Sequence, residues 1–75
     1  MSKPVIRLRI RELAEQQGMS RTTLSRRADT NYKTINQLWD NPTRDVSLHT
    51  LEKIAAALGV RVEELYEVVD DDTAE

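Results

Sequence analysis

A chain of 75 residues with no cysteine and a net charge of −2 makes one small domain, with disulfides and thiolate metal sites excluded and a reducing compartment compatible. At that size folding buries only about 60% of the unfolded surface, so stability is modest unless a partner adds to it. The net charge conceals a dipole: residues 1–34 carry eight Lys/Arg against three Asp/Glu, and residues 35–75 carry three against ten, an asymmetry that points to nucleic acid or to an acidic tail. After "MSKP" the apolar residues are interrupted by arginine, so neither a signal peptide nor a membrane span is expected. In "VIRLRIRELAEQQG", Ile6, Leu8 and Ile10 alternate with Arg7, Arg9 and Arg11, the period of a strand; from Ile10 onward Ile10, Leu13 and Ala14 take helical spacing. The sequence predicts a short strand over about residues 4–9 and a helix to Gln17, stopped by Gly18 in the left-handed region. An uninterrupted helix from Val5 is the alternative.

In "MSRTTLSRRAD" Ser20 is a good N-cap, Met19 can staple onto Leu24, and Leu24 with Ala28 marks the buried side of a helix over 20–28. Asp29 and Thr30 form a break, since Asp tolerates the left-handed region. Asn31 caps a helix over 31–40, and Asn41–Pro42 ends it, because the residue before proline is pushed out of the α region. Ser47 caps the next helix, stapled by Val46 and Leu51, with Leu48, Leu51, Ile54, Ala55 and Leu58 as its inner stripe and Gly59 as its stop. One or two more helical turns are expected around Val62 and Leu65. Tyr66–Val69 then runs extended, where pairing with the first strand and use as a dimer surface are both open. Residues 70–75 are acidic and poor in apolar side chains, so residues 1–69 form the domain and 70–75 a disordered tail. The architecture is all-α: four to five short helices without internal repeat, with room for a strand pair between the chain ends.

The helix over 31–40 has two unlike sides. Thr34, Ile35, Leu38 and Trp39 fall on one flank, while Tyr32, Lys33, Asn36, Gln37 and Asp40 fan across the other. Solvent-facing helices usually carry Glu and Lys; here neutral donors and acceptors predominate. The preceding helix is joined so closely that the two must cross steeply, which demands small residues at the contact. Ser25 and Ala28 supply them, and Ile35 is placed to fill the angle.

This pair resembles the helix-turn-helix of the lambda-repressor-like (Cro/cI-type) DNA-binding domains, over about Ile10 to Tyr66. The resemblance rests on Met19–Ser20, Leu24, Ser25, the turn at Asp29, Thr34–Ile35, Leu38, and "SLHTLEKIAAALGV" followed by "RVEEL". The start "IRLRIREL" and the acidic end are similar to a branch of small regulators. Two departures stand out. Asp29 occupies a turn position where the family usually has Gly. Ala14 and Trp39 stand where many members pair an Arg with a Glu, which reads as an apolar contact in place of an ion pair.

The resemblance implies a lambda-repressor-like bundle and a recognition helix, residues 31–40, in the major groove of double-stranded DNA. Asn and Gln can bond adenine in bidentate fashion and Lys can reach guanine, so Tyr32, Lys33, Asn36 and Gln37 are the candidates for base edges. Asn31 and Thr34 fall nearer the phosphates. Ser20 and Arg21 open a helix whose free N–H groups suit a phosphate, and Arg44 is the other backbone candidate. The function expected is that of a sequence-specific transcriptional regulator, cytoplasmic and nucleoid-associated when bound. One unit reads a half-site, so a homodimer is expected.

Each feature has a plainer reading. The Tyr32–Gln37 face can be an ordinary wet surface, and Trp39 belongs more naturally to the core. Arg26 and Arg27 complement the dipole at a helix end. Arg7, Arg9 and Arg11 read better as a solvated face than as a phosphate stripe. His49 is expected to be exposed with no metal or catalytic partner, and Asp70–Asp72 to favour solubility more than cation binding. No nucleophile–His pair, phosphate loop or zinc spacing is present, so neither an enzyme nor a metal or small-molecule cofactor is expected. The rival function is a protein-interaction module on the same fold, such as an antitoxin or adaptor, which the negative net charge favours.

Overall fold

The alternating start of the chain is a strand, β1 (Pro4–Leu8), in the computed structural model, which describes residues 4–70. It pairs antiparallel with β2 (Tyr66–Asp70), setting Val5 opposite Val69, Ile6 opposite Val68, Arg7 opposite Glu67 and Leu8 opposite Tyr66. β-Branched side chains at four of these positions favour the pleated form. A helix starting at Val5 would forfeit bonds that tie β1 to the body: Leu8 N–H donates to the Pro42 carbonyl at 2.6 Å, and Arg9 N–H to that of Leu65 at 2.6 Å. The pairing between the chain ends is therefore intramolecular.

Four helices follow: α1 (Ile10–Gln16), α2 (Arg21–Arg27), α3 (Tyr32–Asp40) and α4 (Leu48–Leu58). Their starts obey local chemistry. The side chains of Ser20, Asn31 and Ser47 accept from the N–H groups of Thr23, Lys33 and Thr50. The ends of α1, α2 and α4 share one motif, in which a left-handed residue lets the next N–H reach back to a carbonyl five residues earlier: Met19 to Ala14, Thr30 to Ser25 and Val60 to Ala55. Gly18 and Gly59 hold that seat at φ +72° and +69°, and Asp29 holds it at φ +50°.

The helices enclose a core of Leu8, Ile10, Ala14, Met19, Leu24, Ala28, Ile35, Leu38, Trp39, Leu51, Ile54, Ala55, Leu58 and Leu65. Ala14 and Trp39 both lie in it, in keeping with the apolar contact expected of them. The Gln17 side chain donates to the Leu58 carbonyl at 2.7 Å, fastening the end of α1 to the end of α4.

Two expectations are corrected. Leu48, assigned to the inner stripe of α4, is 71% exposed, because it is the first residue of the helix and extends past the elements beneath. The helical turns expected around Val62 and Leu65 shrink to a 3₁₀ turn over Val62–Glu64, since Leu65 must drop into the core and Tyr66 already pairs in β2. Asp70 closes β2, and the rest of the acidic tail, residues 71–75, lies outside the described residues.

Candidate nucleic-acid interface

The joint between α2 and α3 is braced from three directions. Ser25 Oγ donates to the Thr30 carbonyl at 2.9 Å, Thr30 Oγ1 donates to that of Ala28 at 3.0 Å, and Lys53 of α4 donates to that of Asp29 at 3.0 Å. Ser25 was singled out in the sequence only for its size; its hydroxyl also closes the turn. Ile35, Leu38 and Trp39 are buried, so α3 is pinned along one flank. The other flank faces outward: Tyr32, Lys33 and Asp40 are exposed, and Asn36 and Gln37 are half-buried, as is Thr34 on the pinned flank.

Asn36 is not a free amide. Its Oδ1 accepts from Arg21 Nη1, at the start of α2. The same guanidinium lies 3.1 Å from a carboxylate oxygen of Asp40 and 5.6 Å from the centroid of the Trp39 ring. Arg21, expected at phosphate, is thus engaged with three residues of α3. The sequence held one signal for this cluster: Asn36 and Asp40 stand four apart on one helix face, where a single cation can bridge them.

Other candidates are distributed around the joint. The Ser20 hydroxyl accepts from Thr23 N–H at 3.2 Å and donates to Thr23 Oγ1 at 3.1 Å. Asn31 Oδ1 accepts from Lys33 N–H at 2.7 Å. Asn31 and Tyr32 line an open hollow at the turn with Ser25, Arg26, Asp29 and Thr30. Arg44 is not part of it; it lines a separate groove with Ile6, Val46 and Leu48.

Charge pairing divides the cations into two groups. Arg7 lies 2.9 Å from Glu67, Arg9 3.3 Å from Glu12, Arg11 3.2 Å from Glu15 and Arg61 3.7 Å from Glu64. The arginines of the chain start are therefore a solvated, locally neutralised face. Among the described residues Arg26, Arg27, Lys33, Arg44 and Lys53 have no carboxylate partner. Four of these five, all but Arg44, belong to α2, α3 or the α4 side chain that reaches the turn. His49 is exposed, 4.0 Å from Glu52. Among the described residues no cluster of three or more His, Cys, Asp or Glu is arranged for a metal, and no helix is long and apolar enough to cross a membrane.

A short helix, a tight left-handed joint and a second helix pinned by one flank define a helix-turn-helix protein. The family model of the Cro/C1-type HTH DNA-binding domain matches residues 9–71, and the chain belongs to that family. Among solved structures, the restriction-modification controller protein C.AhdI from Aeromonas hydrophila is similar at 30% identity and a TM-score of 0.68, over 75% of this chain and 83% of that one. The N-terminal DNA-binding domain of SinR from Bacillus subtilis is similar at 27% identity and a TM-score of 0.68, over 73% of this chain and 80% of that one. No curated protein matches. The chain is a DNA-binding domain of the transcription-regulator kind.

Proposed function

We propose that the protein is a sequence-specific transcriptional regulator that reads double-stranded DNA by inserting α3 into the major groove. One observation carries this reading: the exposed flank of α3 offers neutral hydrogen-bonding side chains while four of the five cations without a carboxylate partner among the described residues gather beside it. Base edges are read with hydrogen-bond donors and acceptors, and phosphates are held by charge. Tyr32, Lys33, Asn36 and Gln37 are the base-reading set. Asn31, Thr34, Ser20 and Arg44 lie toward the backbone. Titration against one duplex at rising salt tests it: log K falls linearly with log salt, with a slope near −0.9 for each phosphate neutralised. A flat line removes DNA as the partner.

The regulator acts as a homodimer, two half-sites lying about one helical turn apart. The support is in the strand pair. β1 presents Pro4 on its outer edge, and its Leu8 N–H is already taken by Pro42. Across the ribbon, the outward N–H and C=O groups of Tyr66 and Val68 have no backbone partner among the described residues. Ile6 and Val68, opposite each other, are 55% and 62% exposed. A second copy paired along β2 satisfies those backbone groups and sets Val68 beside the seam.

The acidic second half of the chain favours one other reading, a module that binds a protein. Retained affinity for a protein partner with no preference among duplexes would select it.

A further inference from the structure

We propose that Arg21 is a positioning residue that turns Asn36 into a donor-only reader, so that the base Asn36 faces is guanine and not adenine. This rests on the reading that α3 enters the major groove, and it concerns which edge one side chain can recognise there.

The chemistry of the contact fixes the orientation of the amide. A guanidinium has five N–H donors and no acceptor, so the Asn36 atom facing Arg21 must be the oxygen. An unconstrained Asn reads adenine with both ends of the amide side by side, the oxygen accepting from N6 and the nitrogen donating to N7. Arg21 takes one of the two lone pairs of Oδ1 and holds the oxygen toward the start of α2, which leaves the Nδ2 hydrogens as the end free to turn to a base. Guanine offers N7 and O6, two adjacent acceptors. Adenine sets its N6 amino group against the amide, cytosine shows a donor in this groove, and thymine offers a single acceptor, O4, beside its methyl group, so only guanine gives both Nδ2 hydrogens a partner.

Arg21 cannot easily leave this task. Asp40 holds its guanidinium at 3.1 Å and the Trp39 ring lies under it at 5.6 Å, while Trp39 itself is buried. Asp40 also compensates its charge, which separates Arg21 from the unpaired cations Arg26, Arg27 and Lys33. The arginine therefore acts on DNA through Asn36 and not as a phosphate ligand.

The test selects bound duplexes from a random pool with the full chain, its Asn36→Ala variant and its Arg21→Met variant. Asn36→Ala marks one position, where preference vanishes while the others hold. At that position the unmodified chain is expected to favour guanine over adenine by roughly 5- to 150-fold. In Arg21→Met the ratio is expected to fall toward one or to invert to adenine, with the other positions unchanged. Adenine at the marked position in the unmodified chain, no position marked by Asn36→Ala, or a guanine preference indifferent to Arg21→Met overturns the inference. So does a uniform loss on every duplex with a shallower salt slope, the signature of a phosphate contact. A measurement on the unmodified chain alone guards against a variant that fails to fold. Replacing the marked guanine with 7-deazaguanine is expected to weaken binding at least about 5-fold, and unchanged affinity overturns the inference. An enriched site lacking the guanine contradicts this inference alone, whereas no enriched site at all removes the groove reading beneath it.

Discussion

Asp29 occupies, at φ +50°, the left-handed seat that Gly18 and Gly59 fill at two other helix ends. A side chain there costs roughly 1 kcal/mol, somewhat less for Asp than for most residues. Asp29→Gly is therefore expected to keep the fold and change stability by about 0 to +1 kcal/mol, with Asp29→Val moving the other way. The same change removes a carboxylate from the hollow shared by Arg26 and Asn31, so affinity for every duplex should rise. Denaturant unfolding and a binding titration check both halves; a large loss of stability would mean that the Asp29 side chain does something the geometry does not reveal. On α3, Lys33→Ala or Gln37→Ala should cost about 1–3 kcal/mol of binding and relax preference at one base pair. Variants that discriminate among duplexes as the parent does would contradict the assignment of that face. At this scale the sequence disclosed the caps, because Ser20, Asn31 and Ser47 act on N–H groups two or three residues away. It did not disclose that Arg21 grips Asn36 and Asp40, nor that Ser25 bonds the Thr30 carbonyl. Those contacts depend on where α2 crosses α3: the short joint implies a steep crossing and the Asn36–Asp40 spacing a site for one cation, but neither says which side chain of α2 reaches it.

Elements with a strong periodic signal emerged where the sequence placed them, and those decided by their neighbours did not. α3 and the core stripe of α4 from Leu51 onward follow from apolar spacing. β1 was ambiguous with a helix, and the ambiguity resolves through partners distant in sequence, the Pro42 and Leu65 carbonyls and the register with β2. Leu48 shows the complementary failure. Its spacing fits the buried stripe, yet nothing packs over the first turn of α4, so it remains exposed. These two cases give opposite expectations in thermal unfolding. Ile35→Ala, which empties a fully buried site between α2 and α3, should cost about 2–5 kcal/mol. Leu48→Gln should stay within about 0.5 kcal/mol. Comparable losses from both would mean that α4 is seated differently.

For the whole molecule, the uneven charge acquires a spatial meaning. The arginines of the first strand and helix are paired with local carboxylates, and four of the five uncompensated cations among the described residues, all but Arg44, collect at the joint between α2 and α3. Net charge is a poor guide to a partner when pairing is this uneven. The exposed Ile6–Val68 row and the open edge of β2 bear on assembly. A lysine on a sheet edge discourages strand pairing between copies, so Val68→Lys should yield a monomer in solution with its fold intact, because Val68 is 62% exposed. Its binding to a two-half-site duplex should weaken, while binding to a single half-site changes little. A dimer that survives Val68→Lys would relocate the contact to another surface. The most direct measurement selects bound duplexes from a random pool while the mass of the free and bound protein is recorded. Expected are a palindromic enriched site, with half-sites about one helical turn apart, and the mass of two copies on it. A pool that emerges as random as it entered would contradict the claim that α3 reads base edges.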